Sequence, residues 1–131
     1  MARAELRRTD LVYPEESFAI VGAVYDVYNR LGHGHAERTY QKAVGEELKK
    51  RGFKFQEQVY SPVVYLEKVV GKNYFDFLIA GKIVVELKKG DNFSKTHIEQ
   101  VYRYLVSKDL RLGILVYFSP RKVNYKRIVN L

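Results

Sequence analysis

The chain has no cysteine and no tryptophan, and only 3 prolines and 1 methionine. Without cysteine, a disulfide framework, a thiolate zinc site and a thiol nucleophile are all excluded. No Gly-rich phosphate loop and no nucleophile elbow occur, which removes a nucleotide-driven motor and most covalent hydrolases. Long apolar runs are missing too, and the opening MARAELRRTD is charged, with no hydrophobic segment of its own. The expectation is therefore a soluble, cytoplasmic protein with no membrane partner. There is no internal repeat, low-complexity stretch or linker, and 131 residues suit one domain. We expect a single domain over 1–131, with an N-terminal arm over 1–12.

Acidic residues are the minority. Lys and Arg number 23 against 15 Asp and Glu, a formal net charge of +8. Such an excess favours polyanionic partners, because basic side chains on phosphates release condensed counterions. Many basic proteins never touch nucleic acid, so charge alone decides nothing. With 47% hydrophobic and 29% charged residues the composition is that of a folded globular chain.

Pro14, Glu15 and Glu16 form a good first helical turn: proline loses no hydrogen bond there, and carboxylates suit the positive end of the dipole. Phe18, Val21, Val24, Tyr25, Tyr28 and Leu31 recur at helical spacing, and Gly32 ends the run. A second helix starts near His35 or Ala36 and shows Glu37, Tyr40, Val44 and Leu48 along one side, up to Gly52. Phe53, Phe55 and Val59 then alternate with polar residues, and Val63 to Tyr65 continue as β-rich sequence after Pro62. Tyr74 to Ile79 and Ile83 to Leu87 are short apolar runs joined by Ala80, Gly81 and Lys82, a hairpin signal. Ser94 can cap a third helix that buries Ile98, Val101 and Leu105. Leu112 to Phe118 reads as a buried strand, with Ile128 and Val129 as a possible edge. The order α-α-β-β-β-α-β predicts an α/β sandwich around a mostly buried sheet.

The hairpin carries the chemistry. With Gly81 at the centre of a three-residue loop, Asp76 and Glu86 stand opposite each other, their Cβ atoms about 4.5–5.5 Å apart. Lys88, two residues beyond Glu86, shares its face. Carboxylates that close repel unless a cation lies between them. Oxygen-only donors favour a hard ion such as Mg²⁺, which can polarise a phosphoryl oxygen and activate water. A neighbouring lysine can stabilise the charge that builds in the transition state. The plainer alternative is a cross-strand salt bridge between Lys88 and an acidic neighbour on a solvated face.

Beyond this geometry, Asp76 and the run Val84-Val85-Glu86-Leu87-Lys88 resemble motifs II and III of the PD-(D/E)XK nuclease superfamily. Gly34-His35-Ala36-Glu37-Arg38-Thr39-Tyr40 is similar to the G-x-x-E-x-x-Y signature of the GxxExxY proteins within it. Phe75 stands where a proline often precedes the aspartate. The resemblance covers about residues 15–130 and implies a restriction-endonuclease-like α/β core, a central mixed β-sheet flanked by α-helices. It also implies Asp76 and Glu86, with the Leu87 carbonyl, as principal ligands of Mg²⁺ or Mn²⁺, and Glu37 as a metal residue bound directly or through water. Lys88 would be the catalytic lysine, and Gln100 would hold substrate or lysine, with Tyr104 one turn on. The implied substrate is nucleic acid, DNA more than RNA, and many relatives act as homodimers. A non-catalytic nucleic-acid-binding or assembly module on the same fold is the alternative, and a purely structural interaction protein is a third.

Lys89, Lys95 and Arg103 lie near the proposed site and are candidates for phosphate contact. His97 shares a helix face with Gln100, so it either meets substrate or serves as a surface or capping residue. Tyr25, Tyr28, Tyr102 and Tyr104 either pack in the core or stack on unpaired bases. His33 and His35 flank Gly34 as solvated loop histidines or a zinc pair. Further basic clusters occur at Arg7-Arg8, Lys49-Lys50-Arg51 and Arg121-Lys122 with Lys126-Arg127. The Lys49 cluster has a bland explanation in the helix dipole.

Overall fold

The computed structural model describes residues 12–131. The expected N-terminal arm and Arg7-Arg8 lie outside the described residues, except that Val12, counted in the arm, is a buried core residue at 4% exposure. Helices α1 (Pro14–Leu31) and α2 (Glu37–Lys50) precede a three-stranded meander of β1 (Phe55–Tyr65), β2 (Lys68–Ile79) and β3 (Ile83–Lys89). Helix α3 (Lys95–Lys108) then crosses to β4 (Leu112–Phe118), and β5 (Val123–Val129) closes the sheet. The spatial order is β1-β2-β3-β4-β5, with β3 and β4 parallel and every other pair antiparallel. The sheet is therefore mixed, as expected. Among the described residues no helix is long and apolar enough to cross a membrane.

The parallel step explains the layers. A β-α-β crossover must pack its helix on one face, and α3 does so: Val101, Tyr104 and Leu105 bury against Phe75, Val84, Leu115 and Ile128. Helices α1 and α2 cover the other face, where Ile20, Val24, Tyr40, Val44 and Leu48 meet Phe77, Ile79, Val85, Ile114 and Val116. Strands β3 and β4 are thus covered on both sides, which is why they read as unbroken apolar runs. At Gly113 the approach of α3 is close: a Cβ there would lie 2.5 Å from Val101 Cγ1.

Three expectations need correction. The stripe assigned to α1 is rotated, since Phe18 is 83% exposed while Ser17, Ile20, Ala23, Val24 and Val27 face inward. Small residues let the helix sit close to its neighbours, and the tyrosines take the rim, where their hydroxyls find partners. Tyr25 and Tyr28 donate to the carbonyls of Val123 and Ser119 at 3.2 and 2.6 Å. Second, β2 begins at Lys68, six residues before the expected start, after a two-residue turn in which Leu66 and Glu67 both have positive φ. Such turns favour Asn and Gly, so nothing in this pair announced it. Among the described residues this ribbon, beyond Phe75, pairs with no strand but its own partner, and its side chains are largely exposed, so the sheet is buried in its centre. Third, β5 extends from Val123, because a polar stretch at Asn124 to Arg127 forms an ordinary edge strand.

Candidate active site

The β2–β3 hairpin turns as expected. Ala80 and Gly81 have φ of 55° and 68°, and Lys82 N donates to the Ile79 carbonyl at 3.0 Å. Ladder pairs follow at Ile79↔Ile83, Leu78↔Val84 and Phe77↔Val85. The next position in this register sets Asp76 against Glu86, and there side chains replace the ladder. Asp76 N donates to Glu86 Oε1 at 3.1 Å, and Leu87 N donates to Asp76 Oδ2 at 2.7 Å. Both carboxylates are thereby fixed where the two strands part.

The parting has a local cause. Gln58, opposite Asp76, is a non-glycine residue at φ 50° in the middle of β1. Left-handed backbone there costs about 1–2 kcal/mol, and such outliers collect at functional sites. Both strands roll at this point. Phe77 and Phe55 belong to the core under α1 and α2, whereas Phe75 and Val59, an even number of residues away, belong to the core under α3. The roll points Gln58 at Asp76: its Nε2 donates to Gln41 Oε1 at 2.8 Å and to Asp76 Oδ1 at 3.4 Å. It also opens a groove of about 460 Å³ lined by Glu37, Arg38, Gln41, Lys42, Glu57, Gln58 and Asp76.

Glu86 is 8% exposed. Its pKa is pushed up to about 9, first by burial and then by the charge and hydrogen bonding of Asp76, with Lys88 opposing. The ammonium of Lys88 lies 3.7 Å from Glu86 Oε2. This contact runs along one strand and not across two, so the plainer salt-bridge alternative is present in a different form. One lysine on the rim does not neutralise two adjoining carboxylates.

The signature helix enters from the other side. Tyr40 is 1% exposed and stacks on Phe118, their ring centroids 4.1 Å apart. Its hydroxyl donates to the Gly32 carbonyl at 2.6 Å and accepts from His35 N at 3.4 Å. The His35 ring packs edge-on against Tyr40 and bonds to the Leu31 carbonyl at 2.9 Å, so it serves this turn and no zinc pair. Gly34, at φ 91°, lets the chain enter α2 in that posture. Thus anchored, the helix sends Glu37 toward the end of β3, where its Oε2 accepts from Lys89 N at 3.1 Å.

Glu37 does not join the pair. Among the described residues no group of three or more His, Asp or Glu is drawn together closely enough for one ion. Asp76 and Glu86 converge without it, and two adjoining oxygen donors suit an ion that keeps its remaining waters. The donor set fits Mg²⁺ or Mn²⁺.

The other expected residues divide. Gln100 and Arg103 line a separate small groove with Ser61, Asn73 and Ser107, away from the acidic pair. Tyr104 is 4% exposed and packs on Phe75 at 4.8 Å, so its ring is used internally and is no stacking surface. Lys95 is exposed on the first turn of α3, 3.9 Å from Glu99. His97 lies within electrostatic reach of Lys88 and Glu37: burial and the charge of Lys88 hold its pKa below the usual value, against Glu37. Four participants were not anticipated, Gln58 at Asp76 among them. Tyr117, paired in register with Lys88, contacts His97. Arg38 and Lys42 line the groove that holds Asp76. Their spacing after Glu37 along α2 was the available signal for those two, and Gln58 had none. A wider groove of about 730 Å³, with Arg121 and Lys122, flanks the loops after β3 and β4.

The family model of the PD-(D/E)XK nuclease superfamily matches residues 14–128. No curated protein matches the sequence. Among solved structures, the crystal structure of SSO0001 is similar at 19% identity and TM-score 0.48, covering 88% of this chain and 77% of its own.

Proposed function

Because this chain belongs to the PD-(D/E)XK nuclease superfamily, we propose that it is a divalent-metal-dependent nuclease acting on nucleic acid, DNA more than RNA. One observation carries the reading: Asp76 and Glu86 are hydrogen-bonded into place side by side, with Glu86 buried and its charge poorly compensated. Burying such a pair without a cation is costly, and a cation between them would relieve the repulsion.

Asp76 and Glu86 would hold Mg²⁺ or Mn²⁺, with the carbonyl of Leu87, the next residue on β3. The ion supplies Lewis acidity toward a phosphoryl oxygen and acidity to a bound water. Lys88, beside Glu86, places a positive charge where negative charge grows on the phosphorus oxygens. Glu37 holds the end of β3 through Lys89 N and would reach the ion only through water. Gln58 orients Asp76 from β1. Arg38, Lys42, Lys89, Lys95 and Arg103 supply phosphate contacts, with the net charge of +8 favouring association. Within the superfamily we place the chain with the GxxExxY proteins, since Gly34, Glu37 and Tyr40 each have a distinct physical task. Pairing as a homodimer to reach both strands of a duplex belongs to the same reading, as does Gln100 as a substrate-holding residue beyond the acidic pair.

The test is incubation with plasmid, single-stranded DNA and RNA in Mg²⁺ or Mn²⁺. Cleavage by wild type that is lost in Glu86→Ala and Lys88→Ala is expected, and identical results for all three on every substrate defeat the proposal. The separation of Glu37 from the acidic pair favours a second reading, a non-catalytic nucleic-acid-binding module. Its mark is salt-dependent binding that survives EDTA, with no product under any metal.

A further inference from the structure

Beside Lys88 lies a small, partly buried network that the proposed chemistry leaves unassigned. Tyr117 is 3% exposed and sits across the parallel register from Lys88. Phe93 meets its ring edge-on at 5.0 Å. The Tyr117 oxygen accepts Ser94 N–H at 3.3 Å, and His97 Nδ1 is in hydrogen-bonding contact with the same hydroxyl. Ser94 also caps α3, its hydroxyl accepting from His97 N at 3.4 Å. One residue thus fixes both the phenol and the backbone of the histidine.

The direction of the phenol–imidazole bond follows from accounting for one proton. The hydroxyl carries a single hydrogen, and among the described residues His97 Nδ1 is its one acceptor. A buried O–H left without an acceptor costs about 1–3 kcal/mol, so the phenol donates and Nδ1 accepts. A neutral imidazole whose Nδ1 accepts carries its hydrogen on Nε2. Burial and the nearby Lys88 charge both disfavour the imidazolium, in which Nδ1 would turn donor and leave the phenol proton stranded.

We propose that Tyr117 locks His97 as the neutral Nε2–H tautomer, and that this N–H donates to a phosphate oxygen of a nucleic-acid strand lying at Lys88. The phosphate role rests on the nuclease reading; the lock does not. A neutral donor adds a directional hydrogen bond beside Lys88 without adding a second cation to repel it. Tyr117 is a positioning residue, acting through His97.

Long-range ¹H–¹⁵N NMR of metal-free protein reads the tautomer directly. The Nε2–H pattern is expected in wild type, and a mixed or shifted pattern in Tyr117→Phe, which keeps the ring and its packing. Binding of a fluorescent oligonucleotide in EDTA at low salt reads the donor. His97→Ala should weaken it about tenfold, the value of one hydrogen bond to a charged acceptor. His97→Gln, whose amide N–H lies near the Nε2 position, should restore most of it. An Nδ1–H pattern in wild type overturns the lock. Binding by wild type that His97→Ala leaves unchanged overturns the donor role alone, whereas absence of binding by wild type overturns that role together with the nucleic-acid reading.

Discussion

Replacing Glu86 by glutamine should stabilise the metal-free protein at alkaline pH, against the usual result for a buried site residue. In the fold, burial and the neighbouring Asp76 push this carboxyl from its ordinary 4.5 up to about 9. A folded-state pKa above the unfolded one means that the protonated form favours folding. That stability is complete below pH 4.5 and is lost progressively as pH rises to about 9. Each unit within the window costs up to about 1.4 kcal/mol. Allowing for relaxation of water and of Lys88 around the pair, the net cost by pH 8 is on the order of 2 kcal/mol. Glutamine keeps the acceptor for Asp76 N, cannot ionise, and can donate its amide toward the Asp76 carboxylate. For a chain of 131 residues, about 2 kcal/mol corresponds to roughly 6–10 °C in Tm.

The assay is thermal unfolding by circular dichroism in EDTA at pH 5, 6, 7, 8 and 9. Wild type should lose Tm steadily across the series, while Glu86→Gln stays nearly level and overtakes it. Adding Mg²⁺ or Mn²⁺ at pH 8 should raise wild type and leave the variant unmoved, since an ion that binds only the folded state stabilises by mass action. A variant less stable than wild type throughout, or one with the same pH slope, refutes the view that Glu86 is a buried, uncompensated acid.

Tyr40→Phe removes the hydroxyl that bonds Gly32 and His35; a loss of about 1–2 kcal/mol is expected in urea unfolding, with reduced cleavage because Glu37 loses its footing. Gly113→Ala forces a Cβ to within 2.5 Å of Val101 and 3.1 Å of Val84, and should cost about 1–3 kcal/mol of stability, read as a lower denaturation midpoint at unchanged m-value. The rotated face of α1 makes a paired prediction by the same measurement. Ile20→Ala should cost about 2–5 kcal/mol, whereas Phe18→Gln, at 83% exposure, should stay within about 0.5 kcal/mol of wild type.

Legibility followed the range of the physics involved. The hairpin register needed only the loop of Ala80 to Lys82 and the period of two, so Asp76 and Glu86 could be set opposite each other without any tertiary knowledge. The α3 cap at Ser94 and the stop at Gly32 are equally local. The face of α1 was misjudged because aromatic residues at helical spacing look like a core stripe, although tyrosines with nearby carbonyls serve a rim as well. Early β2 and most of β5 were hidden because their strands are edge or ribbon segments, where polar side chains are allowed and no apolar run forms. Gln58 was invisible for a stronger reason. A left-handed glutamine inside a strand violates local preference, and only the tertiary site that it serves accounts for it.

That violation explains why the site sits where it does. A regular β1–β2–β3 meander would satisfy its ladder past Asp76, and both carboxylates would then lie on flat faces, solvated and apart from Leu87 N. The irregularity at Gln58 rolls both strands and moves Phe75 to the α3 side while Phe77 stays on the other. It thereby frees Leu87 N for Asp76 Oδ2 and Asp76 N for Glu86 Oε1. The strain at one residue is thus offset by two backbone-to-carboxyl hydrogen bonds, each worth about 0.5–1.5 kcal/mol to a neutral acceptor and about 1.5–3 kcal/mol to a charged one. Gln58→Gly separates the two contributions. It removes the left-handed strain, so the fold should hold or gain up to about 1 kcal/mol. It also deletes the link from Gln41 to Asp76, so divalent-ion affinity and cleavage should fall together. A glycine variant that is markedly less stable than wild type would mean that the side-chain bonds, and not the backbone irregularity, hold the two strands apart.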